Sequence, residues 1–239
     1  MNHDNKVGFT LIELMLAMSF IAMLLMAIAM TTIQISNIYN KGITLREVNQ
    51  AGRAVSDDLR RSIASTIPFD VTPKVDDAPE TADSKYVVRD GGGRLCLGRY
   101  TYVWNYGESL ADEVGAPAIF NEYDNSTPVR FAKVADPSGA LCADPTLAVA
   151  RADASEMLTS GDRNLVAHQF TIAKGASDPV TGQALYAITL VIGTNDGEQL
   201  TTNDTSCRPP VDGVGQENYC AVNQFDIIAR AGNQAGSDK

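Results

Sequence analysis

The sequence predicts an α+β protein in which a long N-terminal transmembrane and stalk helix packs on a C-terminal antiparallel β-sheet head. Three features indicate this fold. From Leu14 to Met30 the only polar residue is Ser19. A helical period then resumes and continues to Ile63, ahead of the first proline, Pro68. The rest of the chain alternates turn residues with short runs of aromatic and β-branched residues, as antiparallel strands do.

The apolar run is long enough to cross a membrane. At about 1.5 Å per helical residue, roughly 20 apolar residues span a bilayer core of about 30 Å. We place the transmembrane part at residues 9–33 and an amphipathic continuation at residues 34–65. Glu13 is the exception within the run, because a charge near the centre of a spanning helix costs about 2.5 kcal/mol or more. It therefore needs a partner.

Two simpler interpretations of this run are available. A secretory signal peptide would use Ala27-Ile28-Ala29 as its cleavage site, and an ordinary membrane anchor would leave Glu13 without a role. The run is longer than a usual signal-peptide apolar region, and an acid lies in its first half. Both features disfavour the signal peptide.

The amphipathic continuation predicts a helix with one buried face. Gly42 is a weak point, since glycine costs about 1 kcal/mol relative to alanine in a helix interior. Pro68 ends the element, because the residue before a proline avoids the α region. The predicted apolar stripe consists of Ile38, Leu45, Val48, Val55, Leu59 and Ile63.

Residues Gly8 to Glu13, G-F-T-L-I-E, follow a short polar leader that contains Lys6. This junction resembles the class III leader junction of type IV pilins and type II secretion pseudopilins. In that family a membrane prepilin peptidase cuts after the glycine and methylates the new N-terminal residue. The resemblance implies a leader of residues 1–8 that ends at Gly8, and an N-methylated terminus at Phe9. It also implies that Glu13 neutralises the new amine, within one subunit or across two subunits in a filament.

The resemblance extends to the class of subunit and to its partners. Many major pilins carry a proline at the position held here by Met30, so this helix is less prone to kinking. The large head, four cysteines and a stalk ending in R-A-V-S-D-D-L-R-R are similar to J-type minor pseudopilins and PilW-like minor pilins. The implied partners are prepilin peptidase, other major and minor pilins, an inner-membrane assembly platform and, before assembly, membrane lipid.

The orientation in the membrane is also an implication of the resemblance. Lys6 and Asp4 lie on one side of the run, and Lys41 and Arg46 lie on the other. The charge bias is therefore ambiguous. We expect a single-pass protein with a cytoplasmic N-terminus and an extracytoplasmic head, displayed on a surface filament after assembly.

Residues 66–239 form the predicted globular, β-rich head. The best hairpin joins two alternating runs across the turn residues A-S-D-P-V-T-G-Q. A second turn, D-G-G-G, precedes a long aromatic strand. Residues 144–160 suit either a short helix or a loop. The predicted strands are Tyr86–Arg89, Arg94–Tyr106, Val129–Val134, Leu165–Ala173, Ala184–Ile192 and Gln224–Ala231.

The head contains 13 basic and 24 acidic residues, and nucleic acid is not indicated as a partner because duplex binding depends on neutralising phosphates. His168 lies in an alternating strand pattern, which favours a packing role over a general base. Residues 193–204 are rich in oxygen donors but lack the spacing of an EF-hand, which favours a solvated turn. We expect no enzyme activity, no cofactor and no metal site.

The four cysteines, at positions 96, 142, 207 and 220, all lie in the head. An even number in an exported domain favours two disulfides over free thiols, and three connectivities are open. We expect Cys207–Cys220, which closes the smallest loop, and Cys96–Cys142.

Taken with the resemblance, these features favour a minor pilin or pseudopilin that initiates, decorates or caps a filament. The alternative is a pilus-displayed adhesin or DNA-uptake module, in which the stalk only presents a binding head. The acidic head favours the first hypothesis over DNA capture.

Overall fold

The computed structural model describes residues 10–73, 84–89, 92–105, 130–144, 147, 149, 153–158, 164–195, 199–201, 206–208 and 220–232. Helix α1 runs without a break from Leu11 to Ala64, through Gly42, and Ser65 is its C-cap. Its 54 residues correspond to a rod of about 80 Å at 1.5 Å per residue. The predicted α+β layout, with a long apolar N-terminal helix packed against antiparallel sheets, is confirmed.

The described strands form two antiparallel sheets. The first has the order β1-β2-β3-β4-β5 and the second the order β6-β7-β8. A short helix, α2 (Ala140–Ala143), lies between β4 and β5. The strands are β1 (Tyr86–Arg89), β2 (Gly92–Leu97), β3 (Tyr100–Asn105), β4 (Phe131–Ala135), β5 (Ala154–Glu156), β6 (Leu165–Asp178), β7 (Gln183–Thr194) and β8 (Val222–Ala231).

The predicted strand Arg94–Tyr106 is wrong as a single element. It is two strands, β2 and β3, which pair antiparallel around a turn at Gly98 and Arg99. Gly98 has a φ of 64°, a left-handed conformation that glycine adopts without steric cost. The aromatic and β-branched pattern continues on both sides of this turn, so the sequence pattern hides it. Tyr106 lies outside the described residues.

The other strand predictions differ mainly at their ends. Strands β6 and β7 are longer than predicted and meet at the expected turn, and β6 carries irregularities between Ala167 and Gln169 and between Lys174 and Ser177. Residues 144–160 were expected to form a helix or a loop, but they contain strand β5, which pairs with β4. Helix α2 was not predicted. Val129 lies outside the described residues.

The buried stripe of α1 begins later than the apolar periodicity predicts. Val48, Val55, Leu59 and Ile63 are fully buried, as predicted. Ile38 and Leu45 are 73% and 39% exposed, so their assignment to the core is wrong. Ile38 is exposed because the helix is buried only from Thr44 onward, and Leu45 is exposed because it lies on a face of the helix that the head does not cover. The buried face also contains small and polar residues, namely Thr44, Ala51, Gly52, Ser56 and Ser62.

A cluster of aromatic rings joins the two sheets into one core. Trp104 of β3 is fully buried, and its ring centroid lies 4.5 Å from that of Phe170 on β6. Phe131 of β4 lies 5.7 Å from Phe170, and the Tyr86 hydroxyl donates to the Phe170 carbonyl oxygen. Offset and tilted aromatic pairs contribute about 0.5–1.5 kcal/mol each beyond their buried area. The sheets therefore share a single apolar interior with α1.

Two disulfides cross-link the head, Cys96–Cys142 and Cys207–Cys220. These are the two pairs that the sequence analysis expects. The first ties β2 to α2 over a sequence separation of 46, and the second spans only 13. By loop-closure entropy they stabilise the fold by about 4 and about 3 kcal/mol respectively.

Two glycines of α1 provide a matched pair of substitutions. A Cβ at Gly52 would lie 2.1 Å from the ring of Phe225 on β8, whereas a Cβ at Gly42 meets nothing within 4 Å. We expect Gly52→Ala to lower the free energy of unfolding by about 1–2 kcal/mol, because overpacking outweighs the gain in helix propensity. Gly42→Ala should leave it unchanged or raise it by up to about 1 kcal/mol.

Thermal unfolding of the full-length protein in detergent micelles measures both effects. A melting temperature that falls equally in the two variants would contradict the proposed packing of Phe225 on Gly52.

Candidate functional site

The N-terminal half of α1 has no protein partner among the described residues. Every residue from Leu11 to Ser36 is exposed, and the large apolar side chains of this stretch range from 48% exposed at Leu24 to 74% at Leu11. The helix is long and apolar enough to cross a membrane. So much apolar surface on all sides needs lipid or other apolar helices around it.

The hydroxyl groups within this apolar half bond to the helix itself. The Ser19 hydroxyl donates to the Leu16 carbonyl oxygen at 2.9 Å. The hydroxyls of Thr31 and Thr32 both donate to the Ile28 carbonyl oxygen at 2.8 Å. Hydrocarbon offers no hydrogen bonds, so an unsatisfied polar group there costs several kcal/mol. The segment is therefore suited to an apolar environment in spite of its three hydroxyls.

Glu13 lies in the first turn of α1, where it takes part in a capping box. Its Oε2 accepts hydrogen bonds from the Thr10 backbone N–H and from the Thr10 hydroxyl, both at 3.0 Å. In return, the Glu13 N–H donates to the Thr10 hydroxyl oxygen at 3.3 Å. A carboxylate here also complements the positive end of the helix dipole.

The capping box shows what the sequence analysis missed and what it still leaves open. The signal was present as T-x-x-E at residues 10–13, a spacing that marks a helix start. Both bonds that the Glu13 side chain accepts from described residues use Oε2. Gly8 and Phe9 lie outside the described residues, and the pairing of Glu13 with a Phe9 amine stays a prediction.

The C-terminal half of α1 is held on the head mainly by β8. The Phe225 ring lies against Gly52, and the Asn223 side-chain amide donates to Asn49 Oδ1 at 2.7 Å. Ile227 and the small residue Ala229 complete the buried face of β8. Small residues on both partners allow the helix and the strand to approach closely.

A polar clamp at the far end of α1 ties the helix to the other sheet. The clamp consists of Asp58, Ser62, Tyr102 and Lys133. The Tyr102 hydroxyl donates to Asp58 Oδ2 at 2.6 Å, and Lys133 Nζ lies 2.9 and 3.1 Å from the two Asp58 oxygens. Ser62 Oγ lies 2.6 Å from the same hydroxyl. Burial, followed by the hydrogen bond to Asp58, raises the pKa of Tyr102 above its usual value, so the phenol stays neutral and keeps donating.

The remaining candidate chemistry falls on packed or undescribed positions. His168 lies on β6, half-buried, with Nε2 at 3.2 Å from the Thr194 carbonyl oxygen. Within the described ranges, no group of three His, Cys, Asp or Glu residues could hold a metal ion. Residues 196–198 and 202–204 of the oxygen-rich segment 193–204 lie outside those ranges.

Comparison with known proteins found no matching family model, no matching curated protein and no matching solved structure.

Asp58 and its neighbour Asp57 offer a test of the clamp. The Asp58 and Lys133 side chains are 28% and 21% exposed, whereas the pair formed by Asp57 and Arg60 is 61% and 50% exposed. We expect Asp58→Ala to lower the free energy of unfolding by about 2–4 kcal/mol, because it leaves Lys133 and Tyr102 without their acceptor. Asp57→Ala should cost at most about 1 kcal/mol.

Chemical unfolding of full-length protein in detergent micelles, followed by tryptophan fluorescence of Trp104, measures the difference. Indistinguishable unfolding curves for the two alanine variants would show that the clamp does not stabilise the head on the helix.

Proposed function

We propose that this chain is a minor pilin or pseudopilin, a structural subunit that initiates, decorates or caps a type IV pilus-like filament. Prepilin peptidase would first cleave between Gly8 and Phe9. One observation carries the proposal. The G-F-T-L-I-E junction leads directly into a single 54-residue helix that is bare and apolar in its first half and covered by the head in its second.

The bare half of the helix suits two successive environments. Before assembly its apolar side chains match the hydrocarbon of the inner membrane, and after assembly they match the apolar helices of neighbouring subunits. The transfer between the two is energetically mild, because both surroundings are apolar. A polar or one-sided amphipathic helix would not tolerate both.

The continuity of α1 supports a role in assembly beyond anchoring. A protein that needs only an anchor can join its span to its domain by a flexible linker. Here the same helix enters the core of the head, where Val48, Val55 and Leu59 are fully buried. The position of the span therefore sets the position of the head, as a filament with regularly placed subunits requires.

Glu13 supports the proposal because a charged carboxylate in hydrocarbon has an unfavourable free energy and therefore needs a partner. A carboxylate among apolar side chains is unfavourable unless it is paired and hydrogen-bonded. Thr10 supplies two hydrogen bonds to Glu13 Oε2 but no positive charge. The amine created at Phe9, from the same subunit or a neighbour, would supply that charge.

The two disulfides are consistent with a head on the oxidising side of the membrane. The proposed partners are prepilin peptidase, other major and minor pilins and the inner-membrane assembly platform.

Processing provides the direct test of the proposal. We expect the mature chain to begin at Phe9 with a methylated amine, and Gly8→Leu should retain the eight-residue leader, because the peptidase cleaves after a glycine in the resembled family. Intact-mass and N-terminal peptide mass spectrometry of membrane-extracted protein measures both. A native N-terminus near Met30 would instead establish a cleaved signal peptide.

Glu13 provides a second test, with Thr10 as its control. Glu13→Leu makes the span more apolar, so membrane levels should equal those of the wild type. Incorporation into sheared filaments should fall at least about tenfold, because an unpaired amine in an apolar contact costs well over the 1.4 kcal/mol that corresponds to tenfold.

Thr10→Ala removes the capping hydroxyl and leaves the Glu13 charge, so it should assemble nearly as well as wild type. Equal losses in both variants would assign Glu13 to helix capping alone, and equal incorporation of Glu13→Leu and wild type in competition would remove its assembly role.

A further inference from the structure

A cleft of about 770 Å³ lies where the C-terminal end of α1 meets the β2–β3 turn and β4. This volume falls in the range of small-molecule sites, about 300–1,000 Å³. Its charged lining residues are Asp58, Arg61, Lys85, Arg99 and Lys133. The cleft therefore holds four cations and one acid, in a chain whose formal net charge is −10.

Asp58, the acidic residue of the cleft lining, already has partners. The Asp58 carboxylate accepts hydrogen bonds from Lys133 and Tyr102 of the polar clamp. The Arg61 Nε donates to the Asp57 carbonyl oxygen of its own helix at 3.2 Å. Lys85 and Arg99 are exposed and have no side-chain partner among the described residues. Within the part of the chain that the structure describes, three cations thus line the cleft without an ion pair to a carboxylate.

The end of the helix does not account for this excess of positive charge. A helix C-terminus carries about half a negative charge and attracts cations in its last turn. Here the last carbonyls already have donors, since the hydroxyls of Ser65 and Thr66 bond to the Ser62 and Ile63 oxygens. Half a negative charge is less than the charge of the four cations that line the cleft, so the described lining has a net positive charge.

The cleft also offers apolar contact beside its charges. The Tyr100 side chain is 42% exposed, and Lys133 Nζ lies 4.2 Å from its ring centroid. Ile67, at the same rim, is 74% exposed. A ligand with an apolar body could therefore bury that body while its charged groups meet the cations.

The charge distribution of the whole head selects for a small ligand. At physiological salt, exposed charges act over about 8 Å, so a compact anion in the cleft is governed by the local cations. A long polyanion such as duplex DNA would extend over the rest of the head, where 24 acidic residues outnumber the 10 basic ones that remain besides Lys85, Arg99 and Lys133. Repulsion there opposes its binding.

We propose that the cleft between Arg61, Lys85, Arg99 and Lys133 binds a compact, multiply charged anion through its carboxylate, phosphate or sulfate groups. Arg61 and Arg99 provide the planar, bidentate donors that such groups prefer, and Lys85 provides a mobile point charge. Lys133 is held in place by Asp58 and adds to the field. The proposal is independent of the filament role.

Calorimetric titration of the full-length protein in non-ionic detergent tests the site with three compact probes, pyrophosphate, citrate and a sulfated disaccharide, and with duplex DNA for comparison. The cleft variant is Lys85→Gln with Arg99→Gln, and the matched control is Arg53→Gln with Lys174→Gln. Both variants lose one lysine and one arginine that are exposed in the structure, and neither Arg53 nor Lys174 lines the cleft. Melting temperatures verify that both variants fold.

We expect the wild type and the control variant to bind at least one of the three compact probes saturably at one site. The cleft variant should bind that probe about tenfold more weakly or worse, and higher salt should weaken the binding further. The probe that binds identifies the anionic group. The proposal is overturned if no probe saturates, if both variants weaken binding equally, or if duplex DNA binds more tightly than every compact probe.

Discussion

One continuous helix must satisfy two different surroundings along its length, and the rest of the structure follows from that constraint. The first half of α1 is exposed and apolar on every side, with its hydroxyls bonded to its own backbone. The second half is buried on one face, which contains Val48, Val55 and Leu59. Because the backbone hydrogen bonds run through both halves, neither half can reorient without the other.

The head contacts the second half of α1 at two separate places. Strand β8 packs its inner face on Gly52 and Asn49, and the clamp around Asp58 holds the next turns to β3 and β4. The first contact is steric and the second is charged and hydrogen-bonded. Between them, Trp104 and Phe170 close the core across the two sheets. The two disulfides add covalent links, one from β2 to α2 and one within the segment before β8.

Lys133 belongs to both the clamp and the basic cleft, which links the stability of the helix–head junction to the charge of that cleft. Its ammonium group is positioned by Asp58 and lies over the Tyr100 ring. The head as a whole carries more acidic than basic residues, which opposes the binding of long polyanions, whereas the cleft brings four cations together. A globally acidic protein can in this way retain a local site for small anions.

The sequence by itself determined the properties that depend on local pattern: the extent of α1, the apolar span and the positions of most strands. It also contains the T-x-x-E start of the helix, which the prediction did not use. Helical and strand periods are set by backbone geometry, so they are visible in one dimension. Tertiary structure decided the rest. The exposure of Ile38 depends on where the head ends, that of Leu45 on which face of the helix the head covers, and the burial of Gly52 on the Phe225 ring opposite it. The meeting of Arg61, Lys85, Arg99 and Lys133 depends on four separate segments of the chain. No pattern within one segment contains such contacts, because side chains distant in sequence come together only when the helix and both sheets pack on one core.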